Sequence, residues 1–93
     1  MQKIQKIFKA LSMKNALNIM MLVYAGQQTE YYMTFEDLFN KSTLNENTLR
    51  RITNSLSRNG IIKCVRDEDA SDRRRKVYKC NKKIVEMVLE LQK

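Results

Sequence analysis

The sequence predicts an α+β fold, mainly α with one small β-hairpin. Three observations predict it. Apolar residues recur at helical spacing along most of the chain. Two stretches, Ile61 to Val65 and Lys76 to Cys80, instead read as paired strands. Finally, 93 residues at 43% apolar content suffice for one core and not for two, so residues 1–93 are expected to form a single domain.

The first helix shows Ile4, Ile7, Phe8 and Leu11 on one side, with Lys3, Lys6 and Lys9 opposite. Ser12 is expected to cap a second helix running to Ala25 and closed by Gly26. Its Leu17, Ile19, Met20, Val23 and Tyr24 make it apolar on most sides, so it should be the central buried helix. Glu30 to Met33 form a short β-rich piece. Thr34-Phe35-Glu36-Asp37 resembles a capping box opening a short third helix, with Leu38 and Phe39 buried and Lys41-Ser42-Thr43 turning the chain.

The fourth helix has the clearest boundaries. Asn45 is its N-cap, and Leu44 with Leu49 forms a hydrophobic staple. Leu49, Ile52 and Leu56 share one face, and Asn59-Gly60 ends the helix with a left-handed Gly60. The two strands follow, with Arg66 to Arg75 as the charged loop between them. Asn81 then caps a last helix carrying Ile84, Val85, Val88, Leu89 and Leu91. A short helix, a tight turn and a second helix followed at once by a hairpin is the layout of a winged helix-turn-helix, here with extra N- and C-terminal helices.

Composition narrows the function. Eighteen Lys and Arg against ten Asp and Glu give a net charge of +8, which favours a polyanion as partner. There is no His, the usual general base and commonest metal ligand, and two Cys cannot build a thiolate zinc site. With two Gly in the chain there is no Gly-rich phosphate loop. No enzymatic activity, cofactor or metal is expected. The longest apolar run, Ile19 to Ala25, falls far short of the roughly 20 residues of a membrane span. No signal peptide is visible, so a cytoplasmic location with reduced thiols is expected.

With Leu49, Ile52 and Leu56 turned inward, a step of about 100° per residue places Asn47, Arg50, Arg51, Asn54 and Arg58 outward, flanked by Ser55 and Ser57. Arg is bidentate to guanine and Asn to adenine in the major groove of double-stranded DNA. Asn47, Arg50, Arg51 and Asn54 are the expected base readers, Thr48 and Ser55 contact backbone or base, and Arg58 lies on a phosphate. A solvated polar face is the plainer alternative. Against it, the face carries three Arg, no Lys, and a single acid, Glu46, which the helix dipole would hold in the first turn anyway.

In the loop, Arg73, Arg74, Arg75 and Lys76 follow four acids. They either lie along phosphates or in a minor groove, or pair with the loop's own acids. Lys3, Lys6, Lys9 and Lys14 either touch flanking phosphates or keep the first helix soluble. Ile4, Ile7, Phe8 and Leu11, with Ile84, Val85, Val88, Leu89 and Leu91, are expected to form a homodimer interface; the alternative is that they complete the monomer core. Two recognition helices on a palindrome bind more tightly than one on a half-site. Cys64 and Cys80 should face the same side of the hairpin as opposite or diagonal neighbours. The simplest reading makes them small apolar strand residues, and a redox switch is the alternative.

The run Ile7-Phe8-Lys9-Ala10-Leu11-Ser12, followed by Leu17, Ile19, Met20 and Leu22, resembles the opening of ArsR-type winged-helix regulators. The block from Asn45 to Asp67 resembles their recognition helix and wing. The resemblance covers nearly the whole chain and implies the fold, dimerisation and binding of double-stranded DNA. It does not imply metal sensing, because Asp37-Leu38-Phe39-Asn40 stands where the metal motif would need Cys. Size and layout are also similar to small winged-helix proteins of archaeal plasmids and viruses, including the AspA-type DNA-binding component of plasmid segregation cassettes. The leading expectation is a transcriptional regulator on a palindromic site. The alternatives are a centromere-binding protein of plasmid partition, which would recruit partner proteins, and a winged-helix protein-interaction module.

Overall fold

A computed structural model describes residues 2–67 and 75–91. The chain runs α1 (Gln2–Leu11), α2 (Ala16–Gln28), α3 (Phe35–Ser42), α4 (Glu46–Arg58), β1 (Ile62–Arg66), β2 (Lys76–Cys80) and α5 (Lys82–Leu91). The two strands pair antiparallel, with Ile62 opposite Cys80, Cys64 opposite Tyr78 and Arg66 opposite Lys76. An isolated bridge joins Met33 to Tyr78, so the β-rich piece before α3 shrinks to one contact on the hairpin.

α2 is the central element. Its Ala16, Ile19, Met20 and Val23 are fully buried against Leu38 of α3, Leu49 and Leu56 of α4, and Val85 of α5. Burying each large apolar side chain contributes about 1.5–3 kcal/mol, enough to dictate which way every helix faces.

Both boundaries of α2 differ from expectation, and β1 runs Ile62–Arg66 rather than from Ile61 to Val65. Ser12 ends α1 rather than starting α2: its amide and hydroxyl donate to Phe8 O at 2.9 Å and Lys9 O at 2.6 Å. Asn15, at φ 70°, precedes α2 instead. Gly26 does not close α2, which continues through it to Gln28 and is finished by Thr29, whose hydroxyl lies 3.2 Å from Ala25 O and Gly26 O. A Cβ on Gly26 would sit 2.5 Å from the Tyr31 carbonyl oxygen, so glycine here admits a crossing backbone rather than a left-handed turn.

The other caps form as read. The Asp37 amide donates to Thr34 Oγ1 and the Thr34 amide to Asp37 Oδ2, both at 3.0 Å. The Thr48 amide donates to Asn45 Oδ1 at 2.8 Å, and the Ile84 amide to Asn81 Oδ1 at 3.3 Å. Gly60 takes φ 74° beyond α4. Phe39 is exposed, contrary to expectation. Leu38 takes the inward position of this two-turn helix, Phe35 packs beside the core, and Phe39 falls on the flank.

Candidate nucleic-acid interface

Thr43 in the left-handed region (φ 59°) and the Asn45 cap set the turn between α3 and α4. Buried Leu49, Ile52, Thr53 and Leu56 then lock the rotation of α4 about its axis. Asn47, Arg50, Arg51, Asn54 and Arg58 are exposed as a result, while Thr48 and Ser55 are half-buried at the edges. All seven residues assigned to this face therefore lie together on its outer side.

They are not equivalent. Arg50 Nη2 donates to Glu46 Oε1 at 2.8 Å, and the Arg50 guanidinium stacks over the Phe35 ring at 4.7 Å. Arg51 and Arg58 have no ion pair among the described residues. The i,i+4 spacing of Glu46 and Arg50 was visible in the sequence as an ion-pair signal. Phe35 was not, because only the packing of α3 against α4 brings its ring to the guanidinium.

Tyr78 of β2 reaches the same helix. The Thr53 hydroxyl donates to Arg50 O at 3.2 Å and lies beside the Tyr78 hydroxyl. Burial, and secondarily Cys64, push the Tyr78 phenol above its ordinary range, against opposing pulls from Thr53 and Arg50. The Tyr78 amide donates to Met33 O at 2.8 Å. Tyr78 therefore ties the hairpin to both α4 and the chain before α3, a role that the sequence pattern did not signal.

At the hairpin's outer end, the Asp67 amide donates to Arg75 O at 2.9 Å and Arg75 Nε to Asp67 Oδ2 at 3.0 Å. Arg75 is thus already paired with an acid of its own loop. Arg73 and Arg74 lie outside the described residues. Lys76 is exposed and directly opposite Arg66, and Lys63 is directly opposite Lys79. Like charges placed so are unfavourable in isolation and suit a surface that meets an anion. The Lys79 ammonium rests 4.7 Å from the Tyr32 ring centroid.

The set assigned to a dimer interface divides. Ile7, Ile84, Val85 and Val88 are buried within this chain's own core, so they are not available to a partner. Leu89 is half-buried and packs on that core. Ile4 (41%), Phe8 (42%) and Leu91 (62%) remain exposed. Phe8, Leu11 and Leu91 line a shallow groove of about 280 Å³ between the terminal helices. Cys64 and Cys80 are free thiols in diagonal register, one exposed and one buried. The Cys80 thiol donates to Met20 O at 3.5 Å, and burial pushes its pKa up to about 12.

Helices α2 to α4 with a hairpin appended directly after the outward-facing α4 define a winged helix-turn-helix domain of the DNA-binding class. The chain belongs to the TFIIE alpha subunit family, whose model matches residues 3–92. Among solved structures it is similar to one described as the crystal structure of MarR, with a TM-score of 0.65 and 16% identity over 94% of this chain. At that identity the likeness is one of fold, and this chain spans 64% of the length of the MarR chain. No curated protein sequence matches it at a significant level. Among the described residues, no helix is long and apolar enough to cross a membrane.

Proposed function

We propose that this protein is a non-enzymatic, sequence-specific binder of double-stranded DNA that acts as a transcriptional regulator. α4 enters the major groove, and the hairpin lies on the backbone or minor groove. The observation that carries this reading is the outer face of α4, where Asn47, Arg51, Asn54 and Arg58 are exposed beside Arg50. Those side chains are the donors that base edges in the major groove accept. Membership of a family named for the TFIIE alpha subunit supports a role in transcription.

The protein acts as a homodimer on a palindromic site. The exposed Ile4, Phe8 and Leu91 at the terminal helices supply the apolar contact. A dimer neutralising about eight phosphates gives log affinity falling with log salt at a slope near −7. Selection of bound sequences from random duplexes tests the reading. An inverted repeat with guanine and adenine at fixed positions is the expected result, and absence of any duplex binding overturns it. Footprinting then distinguishes the role. A compact footprint marks a regulator, whereas coverage that grows with protein concentration marks a spreading, segregation-type protein.

A further inference from the structure

We propose that Glu46 and Phe35 are positioning residues that make Arg50 a guanine reader, and that Glu46 itself reads the cytosine of a G·C pair. This inference rests on the DNA-binding reading of α4 given above. Glu46 is the one acid on a helix face carrying three arginines, its side chain is 60% exposed, and a DNA backbone would repel it. The helix dipole favours an acid in this first turn, but an exposed ion pair adds little to folding, so stability does not account for the pairing of Glu46 with Arg50.

Its geometry does suggest a role. Glu46 Oε1 takes one N–H from Arg50 Nη2 at 2.8 Å, and the Phe35 ring covers one face of the guanidinium at 4.7 Å. One edge and one face of a planar group are thereby held. Arg has five N–H donors, so enough remain for the bidentate pair to guanine O6 and N7. Held in this way, Arg50 gives up less side-chain freedom on binding than Arg51, which has no ion pair or ring contact among the described residues. The second Glu46 oxygen can accept a hydrogen bond, and cytosine N4 is the base donor that a carboxylate recognises in the major groove. Thymine O4, guanine O6 and phosphate all repel it. The pair therefore rewards G·C and penalises thymine, guanine or phosphate against the carboxylate, trading raw affinity for discrimination.

The test is selection from random duplexes with the full chain and four variants, with affinities for random duplex measured alongside. The wild type should show one position per half-site fixed as G·C, and Arg50→Ala should randomise that position. Glu46→Gln should lower the preference there by about tenfold while binding random duplex as tightly as wild type or more so. Phe35→Leu should degrade the same position with an unchanged salt slope, and Phe35→Tyr, which keeps the ring, should restore it. The proposal is overturned if Glu46→Gln and Phe35→Leu both give the wild-type motif, or if Arg50→Ala leaves that position unchanged. It is equally overturned if Glu46→Gln weakens all sequences alike. Loss of the DNA-binding reading itself would look different, with no duplex bound by the wild type.

Discussion

Arg50 and Arg51 are neighbours in sequence with different fates. Arg50 is held by a carboxylate and a ring, while Arg51 stands exposed and unpaired among the described residues. On the proposed function, Arg51→Ala costs about 1–3 kcal/mol of binding and relaxes preference at one base position, measurable by titration against single-base variants of the selected site. Gly26 presents a contest between two effects. Alanine in a helix interior normally gains about 1 kcal/mol over glycine. Here the new Cβ would sit 2.5 Å from the Tyr31 carbonyl and 3.1 Å from Met33 Cγ. Overpacking against a backbone atom costs about 1–3 kcal/mol, so steric conflict wins and Gly26→Ala is expected to lower stability in urea unfolding.

The hairpin depends on what it leans against. β2 places Tyr78 on α4, while Cys80 is buried against α2 with its amide donating to Gln27 Oε1 at 2.7 Å. Burial holds the Cys80 thiol neutral up to about pH 12, against an ordinary value of 9.0. The folded state thus keeps a proton that the unfolded chain releases. The stabilisation is fully present below pH 9 and is lost as pH rises from there toward about 12. Cys80→Ala should therefore flatten the alkaline fall of stability, read as unfolding midpoints between pH 8 and about 11. Tyr78 titrates in the same direction, so some slope should persist in the variant. In the native protein, exposed Cys64 should react with a thiol reagent well before Cys80.

For the molecule as a whole, the question is how the terminal helices are used. The inner sides of α1 and α5 close the chain's own core through Ile7, Ile84, Val85 and Val88. What remains for a second copy is the outer strip at Ile4, Phe8 and Leu91. Leu91 is 62% exposed, so Leu91→Asp should leave the fold intact, within about 0.5 kcal/mol, while converting the proposed dimer to monomer in sedimentation. DNA affinity at low protein concentration should fall with it, because each monomer then holds only a half-site.

Local chemistry explains what could be read from the chain alone. The caps at Thr34, Asn45 and Asn81, the left-handed Gly60, the strand Lys76–Cys80 and the outward face of α4 all follow from interactions within a few residues or from helical periodicity. Such short-range signals survive in a one-dimensional string. The misread features share the opposite property. Gly26 looked like a helix stop because glycine commonly closes helices, whereas the close approach of the Tyr31 carbonyl, once the chain turns back after Thr29, is a contact made only in the folded chain. Val88 and Leu91 lie on one apolar stripe, yet the first is buried and the second exposed, since which part of a stripe the core covers depends on where neighbouring helices end. The clamp on Arg50 needed α3 folded against α4, and Tyr78 needed the hairpin folded back onto Thr53. Periodicity determines which side of a helix is apolar; the packing of distant segments determines which residues on that side meet each other and which still meet water.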